Sequence, residues 1–166
     1  MRVLGVDPGL GTTGYAVVDL DGGSPALREA GVVRTKEALD LASRLAMLHA
    51  ELRAVVTEFK PDLLALEDLF SSYRFPLSAL KMAHARGVVC LAAAQSDVPV
   101  LGLAPAEVKN AITGSGRASK QQVQRAVQRL FNLSELPTPA DLADAVAIAT
   151  AGAYRAARLD VRSTPR

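Results

Sequence analysis

The chain has 166 residues, 49% of them hydrophobic and 22% charged, which fits one globular domain large enough for a real core. The net charge of +2 is unremarkable, and no apolar run reaches bilayer-crossing length; the best, residues 88–94, is stopped by Gln95-Ser96-Asp97. Asp7 interrupts any signal-peptide pattern, and the lone Cys90 sits in an apolar run as a small core residue, which excludes a disulfide framework. A cytoplasmic protein with no membrane segment is expected.

Taken in order, residues 2–6 read as a short strand buried on both faces. It delivers Asp7 into a turn, Pro8-Gly9-Leu10-Gly11, too rich in Pro and Gly to continue the strand. Gly9, Gly11 and Gly14 let backbone or a phosphate come close. Residues 15–20 resume as a second strand, Asp21-Gly22-Gly23-Ser24-Pro25 turns the chain, and residues 27–35 form a third. Strands joined by such tight turns are antiparallel neighbours. Leu41, Leu45, Leu48, Leu52, Val55 and Phe59 then make a helical stripe that Pro61 ends.

Residues 62–66 are a fourth strand, reached through a helix and therefore parallel to its neighbour, and Glu67-Asp68 follow at its end. After a loop over 69–76 comes a helix over 77–95 with a small-residue surface after Gly87. A fifth strand covers 99–103 and a short helix 105–112, followed by the flexible break Thr113-Gly-Ser-Gly-Arg117. Ser119 caps a helix to Leu130. Thr138 as cap and Pro139 as first helical residue open a last helix to about Ala157. The expected fold is α/β, a mixed five-stranded sheet of three antiparallel and then parallel strands with helices on both faces. Residues 1–158 make a single domain and 159–166 a flexible C-terminal tail.

Charge is unevenly spread. Residues 1–100 balance to −2, residues 101–166 to +4, and between Val108 and Leu130 stand Lys109, Arg117, Lys120, Arg125 and Arg129 with no acid. That segment points to an anionic partner, although such a run is also what a solvated helix face looks like.

Asp7 alone serves equally well as a turn cap. Asp7 and Glu67, however, leave the C-terminal ends of strands expected to be parallel neighbours, the edge where open α/β sheets place their sites. Asp68 points to the opposite face. Asp141 is a natural dipole-compensating acid in the first turn of the last helix, but Asp144 lies three residues on, heading a face continued by Ala145, Ile148 and Gly152. Four carboxylates meeting this closely need compensation, for which hard divalent cations are the usual means, and two Mg²⁺ ions would suit phosphodiester hydrolysis. His49 and His84 lack metal-ligand spacing.

Gly5-Val-Asp-Pro-Gly9, Leu66-Glu67, Val108-Lys109 with Gly114-Ser-Gly116, and Ala140-Asp-Leu-Ala-Asp-Ala145 together resemble the RuvC family of bacterial Holliday junction resolvases, in order and over essentially the whole chain. The resemblance implies a ribonuclease H-like fold, a homodimer, and Mg²⁺-dependent paired, symmetrical nicking of four-way DNA junctions in recombination and repair, with Mn²⁺ a substitute metal. It makes Asp7, Glu67, Asp141 and Asp144 the metal-binding catalytic acids. The family's aromatic beyond the catalytic Glu falls on Phe70, a base-stacking position, and its basic residues near the scissile phosphate on Lys109 and Lys120. Arg117 joins them as a DNA-binding candidate from the basic segment. Branch-migration proteins RuvA and RuvB are the implied partners.

Three other readings compete. A sugar-kinase or actin-like ATPase also uses an Asp-x-Gly turn between strands, but closes two related domains over its nucleotide, and this chain has room for one. A non-catalytic junction-binding module of the same fold has no reason to keep four costly carboxylates. A nuclease of this fold acting on RNA–DNA hybrids is separated only by substrate tests.

Overall fold

In the computed structural model, which describes residues 1–68 and 76–163, the strands are β1 (Arg2–Asp7), β2 (Thr12–Asp21), β3 (Ser24–Arg34), β4 (Leu63–Glu67) and β5 (Val100–Leu103). The helices are α1 (Leu41–Phe59), α2 (Pro76–Ala94), α3 (Pro105–Thr113), α4 (Lys120–Leu130) and α5 (Ala140–Ser163). The five strands form one sheet in the order β3-β2-β1-β4-β5. The β1–β2 and β2–β3 pairs are antiparallel, and β1–β4 and β4–β5 are parallel. This is the mixed sheet expected from the connections, with β1 at its centre.

Local chemistry accounts for the turns and caps. Asp21 pairs with Ser24 across Gly22 and Gly23, whose φ of 54° and 88° suit a two-residue hairpin and few side chains. Asp40 caps α1 by accepting from the Ser43 N–H at 2.9 Å. Ser119 and Gln122 cap α4 reciprocally, the Gln122 side chain accepting from the Ser119 N–H at 2.8 Å.

Both sheet faces are covered. Leu4, Val6 and Val17 of the sheet, with Leu64 and Leu66, pack on Leu48 and Leu52 of α1 and Ala85 and Val89 of α2. Val3, Ala16, Val18 and Ala65 pack on the other side against α3, α4 and α5. Alternate residues of one strand thus serve two cores.

The two cores are built differently. On the first, branched side chains interdigitate. On the second, α5 is buried all round over residues 145–153, sandwiched between the sheet and α3–α4, and its buried residues there are Ala, Val, Ile, Thr and Gly. Its backbone lies on the strands: a Cβ at Gly5 would come within 2.3 Å of the Ala149 nitrogen and 2.4 Å of the Ala145 oxygen. A Cβ at Gly14 would meet the Asp141 oxygen at 2.1 Å.

The boundaries of β2 and α5 differ from the sequence reading for physical reasons. Strand β2 begins at Thr12, not Tyr15, because the ladder extends to the Asp7–Gly14 pair and Gly14 is needed bare beneath α5. Helix α5 opens at Ala140 rather than Pro139 and continues to Ser163, so residues 159–163 are helical where a tail was expected. Arg155-Ala-Ala-Arg-Leu159 are strong helix formers, and no breaker comes before Pro165. Finally, Leu77–Ala94 of α2 is long and apolar enough, by length and composition, to cross a membrane. Lys81, His84 and Arg86 interrupt the run, which is why reading continuous apolar stretches does not register it. Its inner face, including Ala85, Val89, Ala92 and Ala93, is buried against the domain.

The contact at Gly5 is testable. Gly5→Ala forces a methyl into the α5 backbone, which has no flexible end to yield, and should lower stability by at least the roughly 1–3 kcal/mol of ordinary overpacking. Urea unfolding checks this; an unchanged midpoint would mean that α5 is free to lift.

Candidate active site

Strand parity places the first two acids. On β1, Val3 faces α5, Leu4 the α1–α2 layer, and Val6 the same layer as Leu4. Asp7, one residue further, therefore faces the α5 side. On β4, Leu64 and Leu66 face α1–α2 and Ala65 faces α5, so Glu67 also takes the α5 side. Since Val6 pairs with Leu66 in the parallel ladder, the two carboxylates leave adjacent strands at the same level.

Helix α5 brings the other two. The close approach at Gly14, the β2 partner of Asp7, sets the Asp141 backbone directly over the end of β1. Asp144 is on the next turn. All four acids line one cavity of about 390 Å³, whose walls also include Gly9, Thr12, Lys109, Lys120 and Ile148. Pro105 and the left-handed Gly114 (φ 77°) bound α3 and hold Lys109 at the rim, while the Ser119 cap starts α4 so that Lys120 is its first residue.

The turn after Asp7 is tightly held. The buried Thr13 hydroxyl donates to the Gly9 carbonyl at 2.7 Å and accepts from the Gly9 N–H at 3.3 Å. Arg44 donates to the Leu10 carbonyl at 3.1 Å, and the Thr35 hydroxyl donates to that same oxygen.

The electrostatics follow from the crowding. Burial, then Asp144, Asp141 and Glu67, push the Asp7 carboxyl up from 3.8 to about 7, with Lys120 opposing. Glu67 is raised by burial and by Asp144, against Lys109 and Lys120. Asp19, on the neighbouring strand at the opposite end of β1 and held between Arg2 and Arg28, goes the other way, to about 2. The Lys120 ammonium stands 3.4 Å from Asp144 Oδ2, and Asp144 raises its pKa. Among the described residues, no three His, Cys, Asp or Glu side chains are drawn tightly enough together to form a closed metal site. The acids line the walls instead, as mutually repelling carboxylates do. An all-oxygen, anionic donor set of this kind suits a hard divalent cation.

Other candidates lie elsewhere. Asp68 points away, as expected, and binds Arg86 at 3.0 Å. Arg117 is exposed on the α3–α4 loop outside the cavity lining, its N–H bonded to Ser115 Oγ at 3.3 Å. His49 shares a hydrogen bond with Gln95 at 2.9 Å and His84 is exposed on α2, neither in the cavity. Phe70 lies outside the described residues. Met82, part of the cavity wall, and Arg86, which donates to the Glu67 carbonyl, escape the sequence reading; the only signal for Arg86 was an unpaired Asp68 facing a helix that carries one arginine.

Comparison with known proteins bears on what this cavity is. Residues 3–152 match the family described as crossover junction endodeoxyribonuclease RuvC. The chain belongs to the RuvC family. It is 50% identical over 154 residues to the RuvC of Rhodopirellula baltica, covering 93% of this chain and 86% of that protein. The solved RuvC structure from Thermus thermophilus superposes with a TM-score of 0.87 at 36% identity, covering 95% of this chain and 96% of that one. The same organism's RuvC in complex with Holliday junction substrate gives 0.88 at 37% identity, covering 94% of each. The mixed sheet and its flanking helices are thus those of the RuvC family.

The raised Asp7 pKa gives a signed expectation for metal-free protein. Below pH 4 the group is protonated folded or unfolded, and above it the folded state holds the extra proton until about pH 7, so stability falls as pH rises through that window. Asp7→Asn removes the penalty and should unfold at higher temperature than the parent in EDTA, the gap widening from pH 4 to pH 7.5 toward a few kcal/mol at roughly 1.4 per pKa unit. Thermal melts across that range test it; a gap independent of pH would mean that Asp7 is not held against its charge.

Proposed function

We propose that this chain is a structure-specific endonuclease that resolves four-way (Holliday) DNA junctions by paired, symmetrical nicks, in recombination and repair. The observation that carries the reading is the convergence of four carboxylates and two lysines on one cleft in a chain of the RuvC family. The RuvC neighbour in complex with Holliday junction substrate supports the choice of substrate. Residues 1–158, continued by the last turn of α5, act as a single nuclease domain.

In this reading Asp7, Glu67, Asp141 and Asp144 are the catalytic acids and hold two Mg²⁺ ions, with Mn²⁺ a substitute. When bound, the metal supplies Lewis acidity for water activation and for the leaving oxygen of the phosphodiester. The fit rests on the oxygen-only donor set and on the charge excess that drives Asp7 to about 7. Lys109 and Lys120 at the rim oppose the acids' charge and hold the scissile phosphate, Arg117 contacts the backbone farther out, and Phe70 stacks on bases at the open junction centre. The setting is the cytoplasm, beside RuvA and RuvB.

Two matched cuts call for two sites related by a two-fold axis, hence a homodimer. The outward face of α2 supports this. Leu77, Leu80 and Leu91 are 75%, 57% and 51% exposed. With His84, Gly87 and Ala94 they repeat at the alternating three- and four-residue spacing of a helix–helix seam, and Gly87 has open space above it.

The decisive experiment incubates the protein with labelled four-way junction, duplex and RNA–DNA hybrid, with and without Mg²⁺. Symmetrical nicks confined to the junction and requiring the metal are expected; cleavage of the hybrid alone would overturn the reading. Asp7→Asn should bind the junction without cutting it. Leu80→Glu should shift sedimentation from dimer to monomer and abolish paired nicking, whereas a dimer that persists would move the interface off α2.

A further inference from the structure

Glu67 is held through its own main chain by a residue of α2. The Arg86 guanidinium donates through one nitrogen to the Glu67 carbonyl and through the other to Asp68 Oδ1 at 3.0 Å. The Asp68 N–H donates to the Leu103 carbonyl at 2.8 Å. Its carboxylate lies over Gly102 of β5, where a Cβ would stand 2.3 Å from Oδ1, so this position tolerates no side chain while Asp68 occupies it. The peptide unit that follows Glu67 is therefore gripped by β5 on one side and by α2 on the other. A strand end ordinarily frays into its loop; this one is anchored at the residue that contributes to the cleft.

We propose that Arg86 is a positioning residue that sets the direction of the Glu67 carboxylate and couples it to the pairing helix α2. The sheet ladder holds the peptide before Glu67, so fixing its carbonyl fixes the plane that follows and with it the line along which the side chain leaves Cα. The planar two-donor fork suits the task, since it meets a carbonyl and a carboxylate at once. Leu80, His84 and Leu91 of the exposed seam lie on the same helix, on a different face from Arg86, so a partner docking there presses on the helix that carries the fork. Arg86 itself is largely covered, its side chain 21% exposed, and it lies outside the cavity wall. It acts through Glu67 and touches no substrate.

This inference rests on the reading of Glu67 as a metal-binding acid, and the test separates the two. Arg86→Met keeps the apolar stem and removes the fork; Arg86→Lys leaves one compact donor. Supporting residues of this kind are worth about 10–100-fold in metal affinity or activity. Arg86→Met should need at least about tenfold more Mg²⁺ for half-maximal junction cleavage. Its rise in thermal midpoint on adding Mn²⁺ should shrink in parallel, while junction binding in EDTA and the dimer are retained. Arg86→Lys should fall between it and the parent, and Asp68→Asn, which leaves the carbonyl contact in place, should lose less than Arg86→Met. An unchanged Mg²⁺ requirement and Mn²⁺ shift in whichever Arg86 variant folds would overturn the proposal. Glu67→Gln run alongside distinguishes the failures. A dead Glu67→Gln beside a parent-like Arg86→Met removes only the positioning role, whereas a Glu67→Gln that cuts with ordinary metal dependence removes the metal-site reading beneath it.

Discussion

The backbone contact between α5 and the strands below it underlies the rest of the structure. Helices normally ride on a sheet at a distance set by interdigitating side chains. Here Gly5 and Gly14 are bare where the helix crosses, and Ala145 and Ala149 present little beyond main chain. The helix sinks until backbone meets backbone. Its first turn thereby lands beside the end of β1, bringing Asp141 and Asp144 to Asp7. The crowding of acids, the rise of the Asp7 pKa and the demand for a cation all follow from that separation.

Electrostatics on the two sides of β1 make the same point from another direction. Asp19 and Asp7 are the same residue type on neighbouring strands of one sheet. Two arginines hold Asp19 ionised, whereas three acids and burial hold Asp7 near neutrality. The first arrangement stabilises an edge of the fold. The second stores an unfavourable charge where chemistry can use it. Lys120 offsets part of this from the rim, and Arg86 steadies Glu67 from behind.

Much of this was legible in the residues. The antiparallel set of the first three strands and the parallel strands added to it followed from turn lengths and helical crossovers, because such connections leave few alternatives. The C-terminal ends of two parallel strands put Asp7 and Glu67 at one edge of the sheet, and the period-two alternation turned Asp68 to the other face. The three-residue spacing put Asp141 and Asp144 together. What was not legible depended on tertiary contact. Gly14 read as a turn residue because nothing local shows that it pairs with Asp7 and lies bare beneath α5. The end of α5 was set too early, since its last turns carry no stop signal before Pro165. Arg86 looked like one more charge on an apolar helix, and its role exists only because β4 ends beneath it. Arg117 read as one cation among five, but it lies on the outer loop while Lys109 and Lys120 face the cleft.

The difference between the two cores has a consequence for how such a protein can change. The layer of α1 and α2 is packed with leucines and valines, and such packing accommodates volume-conserving exchange by shifting rotamers. The α5 layer has almost no rotamers to shift. A larger residue there moves the helix as a rigid rod, and Asp141 and Asp144 travel with it as a pair. Change of side-chain volume is therefore better tolerated in the α1 and α2 layer, and above all on the outward seam of α2, which neither lines the cleft nor touches Glu67. In a dimer paired through α2, as proposed, the pairing surface could change in size and shape with less effect on the acids than any change beneath α5.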